Sequence, residues 1–225
     1  DVRAEFLEAM DTAQLVAAAE NLDTDDFADI LQQLPATITT QVLENLDARD
    51  RARVESVLSY PEDSAGGLMN TDTITVRPRH AIELVLRYLR LRKDLPKSTD
   101  SLIVVNSADE YVGMLPLAKL LTSDPSVIVR EIMDSDIPAI HVSETDAAVA
   151  RIFSERDLIS APVIDDEGRL VGRITIDDVV DVIIEDAEEA VLAQAGLDVD
   201  EDTFAPVHKA VRRRALWLGI NLLTA

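Results

Sequence analysis

The sequence predicts an α+β multidomain protein. An all-α helical-repeat domain over 1–62 is followed by two copies of a mixed α/β unit, 63–130 and 131–187, and by a connecting helix over 188–225. Three observations predict this. The first sixty residues repeat every twelve, the next hundred and more repeat about every 64, and at 170–191 an apolar strand turns directly into an acidic helix.

In the first segment Met10, Leu22, Leu34, Leu46 and Leu58 are evenly spaced, and Asp11, Asp23, Pro35 and Asp47 follow the first four. Asp and Pro are residues that open helices, so short helices with two- or three-residue turns fit the period. Each unit is expected to bury its face only against its neighbours, as antiparallel helices in a stack. Asp25, Asp26 and Asp29 open one of these helices, where they suit its N-terminal dipole. Asp25 and Asp29 also share a face, being four residues apart.

A breaker-rich link, PEDSAGGL, leads into the second pattern. Leu68-Met69 recurs as Ile132-Met133. Each is followed by an extended stretch (73–76 and 140–142), an amphipathic helix (81–90 and 147–155), two apolar strands around an acidic turn, and a closing helix. Gly113 and Gly172 fall at equivalent places, where backbone is expected to pass closely. The first copy alone carries an insert, RLRKDLPKSTD, before its strand.

The stretch LVGRITIDDVVDVIIEDAEEAV joins this pattern to the connecting helix. Leu170, Val171, Ile174 and Ile176 suit a buried strand. From Asp177 the period becomes helical. Asp178, Asp181, Glu185, Asp186, Glu188 and Glu189 then fall on one side, and Val179, Val180, Ile183, Ala187 and Val191 on a second side that packs. Carboxylates about 5 Å apart oppose each other by about 3 kcal/mol at an effective dielectric of roughly 20. Such a stripe faces open water or awaits a cation.

Composition narrows the function. A net charge of −22 argues against a nucleic-acid partner, because little of the surface could neutralise phosphates. It favours solubility and cations, and general salt adaptation would produce it too. The absence of cysteine excludes disulfides, thiol catalysis and thiolate metal sites. His80, His141 and His208 show no metal-ligand spacing. No nucleophile–base pair or phosphate-binding glycine loop is present, so no enzyme is expected. The chain starts at Asp1 without a signal-peptide pattern and reads as part of something longer, with further repeats expected upstream.

Near the end, Pro206 can open a helix, and Arg212, Arg213 and Arg214 directly precede ALWLGINLLTA. Eleven residues are too few to cross a bilayer, but an Arg triplet before an apolar start follows the positive-inside pattern. A first transmembrane span continuing past Ala225 is expected, with residues 1–214 on the cytoplasmic side of a cell membrane.

The stretches IMDSDIPAIHV and SAPVIDDEGRLVGRITIDDVV, with their first-copy counterparts, resemble tandem cystathionine-β-synthase (CBS) domains over about 68–186. The resemblance implies two βαββα units forming one ligand-sensing module. The family's ribose-binding signature stands as Thr175 and Asp178. In the first copy those places hold Pro116, which lacks the hydroxyl, and Lys119, which cannot accept a bond from ribose.

The order of elements, with TDDFADILQQL, SYPEDSAGGLM, EGRLVGRITIDDVVDVI and RRRALWLGINLLTA, resembles the cytosolic half of MgtE-type magnesium transporters over essentially the whole chain. That resemblance implies a homodimer whose cytosolic part senses Mg²⁺ and whose connecting helix plugs the pore at high Mg²⁺. It implies sensor acids at Asp25, Asp29, Asp178, Asp186 and Glu189, with Asp157 a further participant. Asp181 and Glu185 join them from the acidic helix face. One family acid is replaced, by Ala190. The alternative is an adenosine-nucleotide-sensing CBS module using Thr175 and Asp178.

Overall fold

The structure, a computed structural model, describes residues 12–19, 22–92 and 94–194. Residues 12–180 lie in one compact unit, and the connecting helix beyond Val180 belongs to a second. The helix expected to open at Pro206 and the Arg212–Arg214 triplet lie outside the described residues.

The helices of the first domain begin at twelve-residue steps: α1 Thr12–Ala19, α2 Thr24–Gln32, α3 Ala36–Asn45 and α4 Ala48–Leu58. Before α2, α3 and α4 stands an extended residue, Asp23, Pro35 or Asp47. Asp47 caps α4 through its carboxylate, which accepts from Arg49 N at 2.8 Å and Asp50 N at 2.9 Å. Asp23 makes no such cap.

The packing differs from the expected neighbour-on-neighbour stack. Contacts run chiefly between alternate helices, α1 with α3 and α2 with α4. Each buried face therefore meets the next helix but one. Phe27 and Leu31 of α2, Val42 of α3 and Val54 of α4 thereby close one core with Leu15 and Leu34.

The two mixed units have the same plan. The first runs β1 Thr75–Val76, α5 Ile82–Leu91, β2 Ser101–Val105, β3 Tyr111–Pro116, α6 Leu117–Thr122 and α7 Val129–Ile132. The second runs β4 Ile140–His141, α8 Asp146–Arg156, β5 Ser160–Ile164, β6 Leu170–Thr175 and α9 Ile176–Gln194. In each, the two-residue strand pairs parallel to the middle strand and the last strand antiparallel to it. Both hairpins shift register at the same place, between Val104 and Val105 and between Val163 and Ile164. Ile74, Val76, Ile82, Val85, Leu102 and Leu115 are among the residues that fill the first core.

The units interlock through their leading segments. Asn70, ahead of the first unit, exchanges two backbone bonds with Arg173 on β6 of the second, at 2.8 and 2.9 Å. Asp134, 64 residues later, does the same with Met114 on β3 of the first, at 2.7 and 2.8 Å. This exchange explains both glycines. A Cβ on Gly172 would lie 2.7 Å from Met69 Sδ, and one on Gly113, at φ +155°, would lie 2.6 Å from Asp134 O. The PEDSAGGL link is also fixed on the second unit, with Ala65 N donating to Glu144 O and Gly66 N to Val142 O.

Two expectations around α9 are corrected. Ile176 starts the helix instead of ending the strand, and it is 37% exposed. The side chain of Asp178 accepts the backbone N–H of Thr175, a helix-opening bond that ends β6 one residue earlier. Of the side expected to pack, Val179 is buried, but Val180, Ile183, Ala187 and Val191 are exposed.

Candidate metal-sensing site

The strand-to-helix junction that closes the second unit faces the N-terminus of α2. Thr175 precedes α9 and Asp178 lies in its first turn, so a helix-capping geometry brings them together. The Thr175 hydroxyl donates to Asp178 Oδ2 at 2.8 Å and its backbone N–H to the same oxygen at 3.1 Å.

Against this carboxylate sits Asp25, in the first turn of α2 and only 6% exposed. One of its oxygens, Oδ1, is buried without a hydrogen-bond partner. Burial pushes the Asp25 carboxyl up to about 8, and the negative charges of Asp178 and Asp26 push in the same direction. Asp178 is raised too, first by burial; the two Thr175 bonds and a hydrogen bond with Asp25 pull it back, while Asp177 adds to the rise. Two carboxylates buried together, with one oxygen lacking any donor, favour a proton or a cation held between them.

Polar contacts pin α2 and α4 beside this pair. Thr24 and Thr71 hydroxyls meet at 3.2 Å, Arg53 Nε donates to Thr71 Oγ1 at 3.0 Å, and Arg53 lies 3.5 Å from Asp50. Asp23, free of a capping role, meets Lys97 Nζ at 3.0 Å.

The other acids named from the sequence are placed differently. Asp29 follows Asp25 by one turn of α2 and is half-buried. Asp157 ends α8 in the left-handed conformation (φ 52°, ψ 42°) and is exposed. Asp181, Glu185 and Asp186 lie exposed on α9. Glu189 is in the same helix, and its side chain lies outside the described residues. Among the described residues no three His, Cys, Asp or Glu side chains converge as a metal site. Asp25 and Asp178 are thus the pair of candidates whose charges the fold sets against each other. Their oxygen-only chemistry and the orphaned Oδ1 fit a hard divalent cation that keeps much of its water.

Several neighbours escape sequence reasoning: Thr24, Arg53, Thr71, Lys97 and Arg173. Only Lys97 carried a usable signal, as one of four lysines in the chain and a member of the unmatched insert.

In the first unit the corresponding junction has neither group. Pro116 stands before α6 with no side-chain cap, and Lys119 follows in its first turn.

Comparison with known proteins agrees with this architecture. Residues 1–63 match the family of MgtE intracellular N domains and 129–185 the CBS domain family. The magnesium transporter MgtE of Thermus thermophilus is 35% identical over 206 residues, covering 89% of this chain and 46% of that protein. The Bacillus subtilis transporter of the same name is 28% identical over 207 residues, 91% of this chain and 46% of its own. The chain therefore spans about half the length of these relatives.

Among solved structures, the cytosolic domain of the Mg²⁺ channel MgtE in complex with ATP superposes with a TM-score of 0.74 at 37% identity, covering 80% of this chain and 73% of that one. The soluble part of a magnesium transporter shares the fold at 23% identity, with a TM-score of 0.77 and coverage of 82% and 72%. No helix among the described residues is long and apolar enough to cross a membrane.

Proposed function

Because the chain belongs to the MgtE family of magnesium transporters, as part of its cytosolic half, we propose that it is the transporter's Mg²⁺ sensor. The observation that carries this reading is Asp25, buried against Asp178 with an unpartnered carboxylate oxygen. Asp25 belongs to the helical array and Asp178 to the second CBS unit, so a cation between them joins two domains.

Asp25 and Asp178 would hold Mg²⁺ through their carboxylates. The bound cation supplies positive charge that lets both acids ionise without repulsion. Thr175 orients Asp178 through its two bonds, and Thr24, Arg53 and Thr71 keep α2 in register. The ion binds the docked arrangement better than the separated one and shifts the population toward it. Asp29, Asp157, Asp181, Glu185, Asp186 and Glu189 add further weak sites along the same route. Closure at high Mg²⁺ then reaches the pore through the connecting helix, with residues 1–214 on the cytoplasmic side of the membrane. The role is regulatory and involves no catalysis.

A homodimer completes the assembly. Val180, Ile183, Ile184 and Val191 on α9, and Leu84, Tyr88 and Leu91 on α5, stand exposed in the single chain, and a second copy would cover them.

Adenosine nucleotides are the second reading, favoured by the intact Thr175–Asp178 pair and by the ATP bound to the related cytosolic domain. They would bind in the second CBS unit.

The test is small-angle scattering and calorimetry on the full chain in zero and millimolar Mg²⁺, with KCl at equal ionic strength as control. Compaction by Mg²⁺ alone, lost in Asp25→Ala, is expected. Equal compaction by KCl would reduce the response to charge screening.

A further inference from the structure

The first CBS unit spends nine residues, 92–100, between α5 and β2, where the second spends three, 157–159, between α8 and β5. A connection tripled in length needs a reason, and the structure supplies one. The buried Arg173 of β6, 6% exposed, reaches under the longer loop and donates from Nη2 to Lys97 O at 2.5 Å and from Nη1 to Ser98 O at 3.4 Å. Ser98 adopts φ +50°, and Thr99 Oγ1 donates to Pro96 O at 2.6 Å. The loop is thereby held so that the Lys97 ammonium meets Asp23 Oδ2 at 3.0 Å. The same ammonium lies in the field of Asp26 and Asp177.

Asp23 and Asp26 belong to the helical array, Asp177 to the second CBS unit, and Lys97 to the first. One tethered positive charge thus faces acids from two bodies beside the Asp25–Asp178 pair. Both ends of the Lys97–Asp23 pair are also fixed at the backbone, Lys97 by Arg173 and Asp23 by its carbonyl, which accepts Phe27 N at 3.1 Å. That removes part of the ordering cost that makes exposed ion pairs weak.

We infer that the first-unit insert is a built-in docking clamp, in which Lys97 acts as a tethered cation that raises the docked fraction of the helical array on the CBS pair before Mg²⁺ binds. The inference deepens the sensor reading and rests on it for its Mg²⁺ arm. The clamp sets how much of the population is already docked before the ion arrives. Mg²⁺ then completes what the lysine begins.

The test is an interdomain distance, read by paired spin labels on α3 and α8 of the full chain, at constant low ionic strength with and without Mg²⁺. Lys97→Gln should lower the ratio of docked to separated molecules about two- to fivefold in zero Mg²⁺, the range an exposed pair can supply. Saturating Mg²⁺ should restore the wild-type distance. Lys97→Arg should behave as wild type, and the exchange of Asp23→Lys with Lys97→Asp should recover docking lost in either single variant.

An unchanged ratio of docked to separated molecules in zero Mg²⁺ for Lys97→Gln would overturn the clamp, and so would an equal fall of that ratio in Lys97→Arg. If the wild type is docked but insensitive to Mg²⁺ beyond KCl, the sensor reading fails while the zero-Mg²⁺ comparison still judges Lys97.

Discussion

The two CBS copies share a strand order, a bulge position and an exchanged leading segment, yet they differ at the two places where the molecule meets something else. The second copy turns from β6 into α9 through Thr175 and Asp178, which bond each other and face Asp25. The first turns from β3 into α6 through Pro116 and Lys119, without a cap. The first in turn has the long loop that carries Lys97, and the second a tight three-residue connection. The repeat makes a symmetric scaffold, and the two copies differ from each other at these two junctions. The second presents negative charge to the helical array and the first presents positive charge.

The largest effects should come from breaking what the copies share. Gly113→Ala should lower stability by about 3 kcal/mol, because its Cβ meets the Asp134 carbonyl at a φ that side chains rarely adopt. Gly172→Ala should cost less, about 1–2 kcal/mol, since the nearest atom belongs to the flexible Met69 side chain. Urea denaturation of the two variants measures the difference. Equal losses would mean that the Met69 side chain cannot give way.

Proton competition should sharpen the difference in charge. Asp25 has its carboxyl raised from 3.8 to about 8, so between those values the folded protein holds a proton that the unfolded chain has released. Metal-free stability therefore falls as pH rises through this window, by up to about 1.4 kcal/mol per unit, and levels off above it. A cation must displace that proton. The apparent Mg²⁺ affinity should rise about tenfold per pH unit toward 8 and flatten beyond. Titrations at pH 6.5, 7.5 and 8.5 check this, and Asp25→Asn should abolish the slope. A slope that survives in Asp25→Asn would assign the proton elsewhere.

Nucleotide binding offers a third, smaller contrast. Thr175→Ala should weaken ATP binding about tenfold, the effect of losing one hydroxyl contact to a charged partner. Lys119→Ala should leave it unchanged. Calorimetry that found the reverse would move the nucleotide to the first copy.

The smallest effect lies at the helices after the leading strands. Thr145 accepts Ala148 N at 3.3 Å to open α8, while its counterpart 64 residues earlier, Ala81, offers no cap to α5. Thr145→Ala should cost about 1 kcal/mol, read as a shift in the urea midpoint.

What the sequence alone determined is local or periodic. Helix starts at Thr12, Thr24, Ala36 and Ala48 follow from Asp or Pro recurring every twelve residues, because a helix boundary is decided by a few neighbouring backbone groups. The 64-residue repeat likewise placed both CBS units and singled out Gly113 and Gly172. The sequence also named Asp25 and Asp178, but only within a longer acidic set, since charge spacing along a helix does not reveal which acid another domain will bury.

Tertiary structure made that selection by setting the start of α2 against the start of α9. It also decided that alternate helices pack, that Asn70 pairs with Arg173 and Asp134 with Met114, and that Asp23 serves Lys97 in place of its own helix. It left Val180 and Ile183 exposed, although their spacing is that of a packed face. These outcomes join residues up to about 150 positions apart. Their partners are fixed by the path of the backbone in space, and nothing in the local pattern of either partner encodes it.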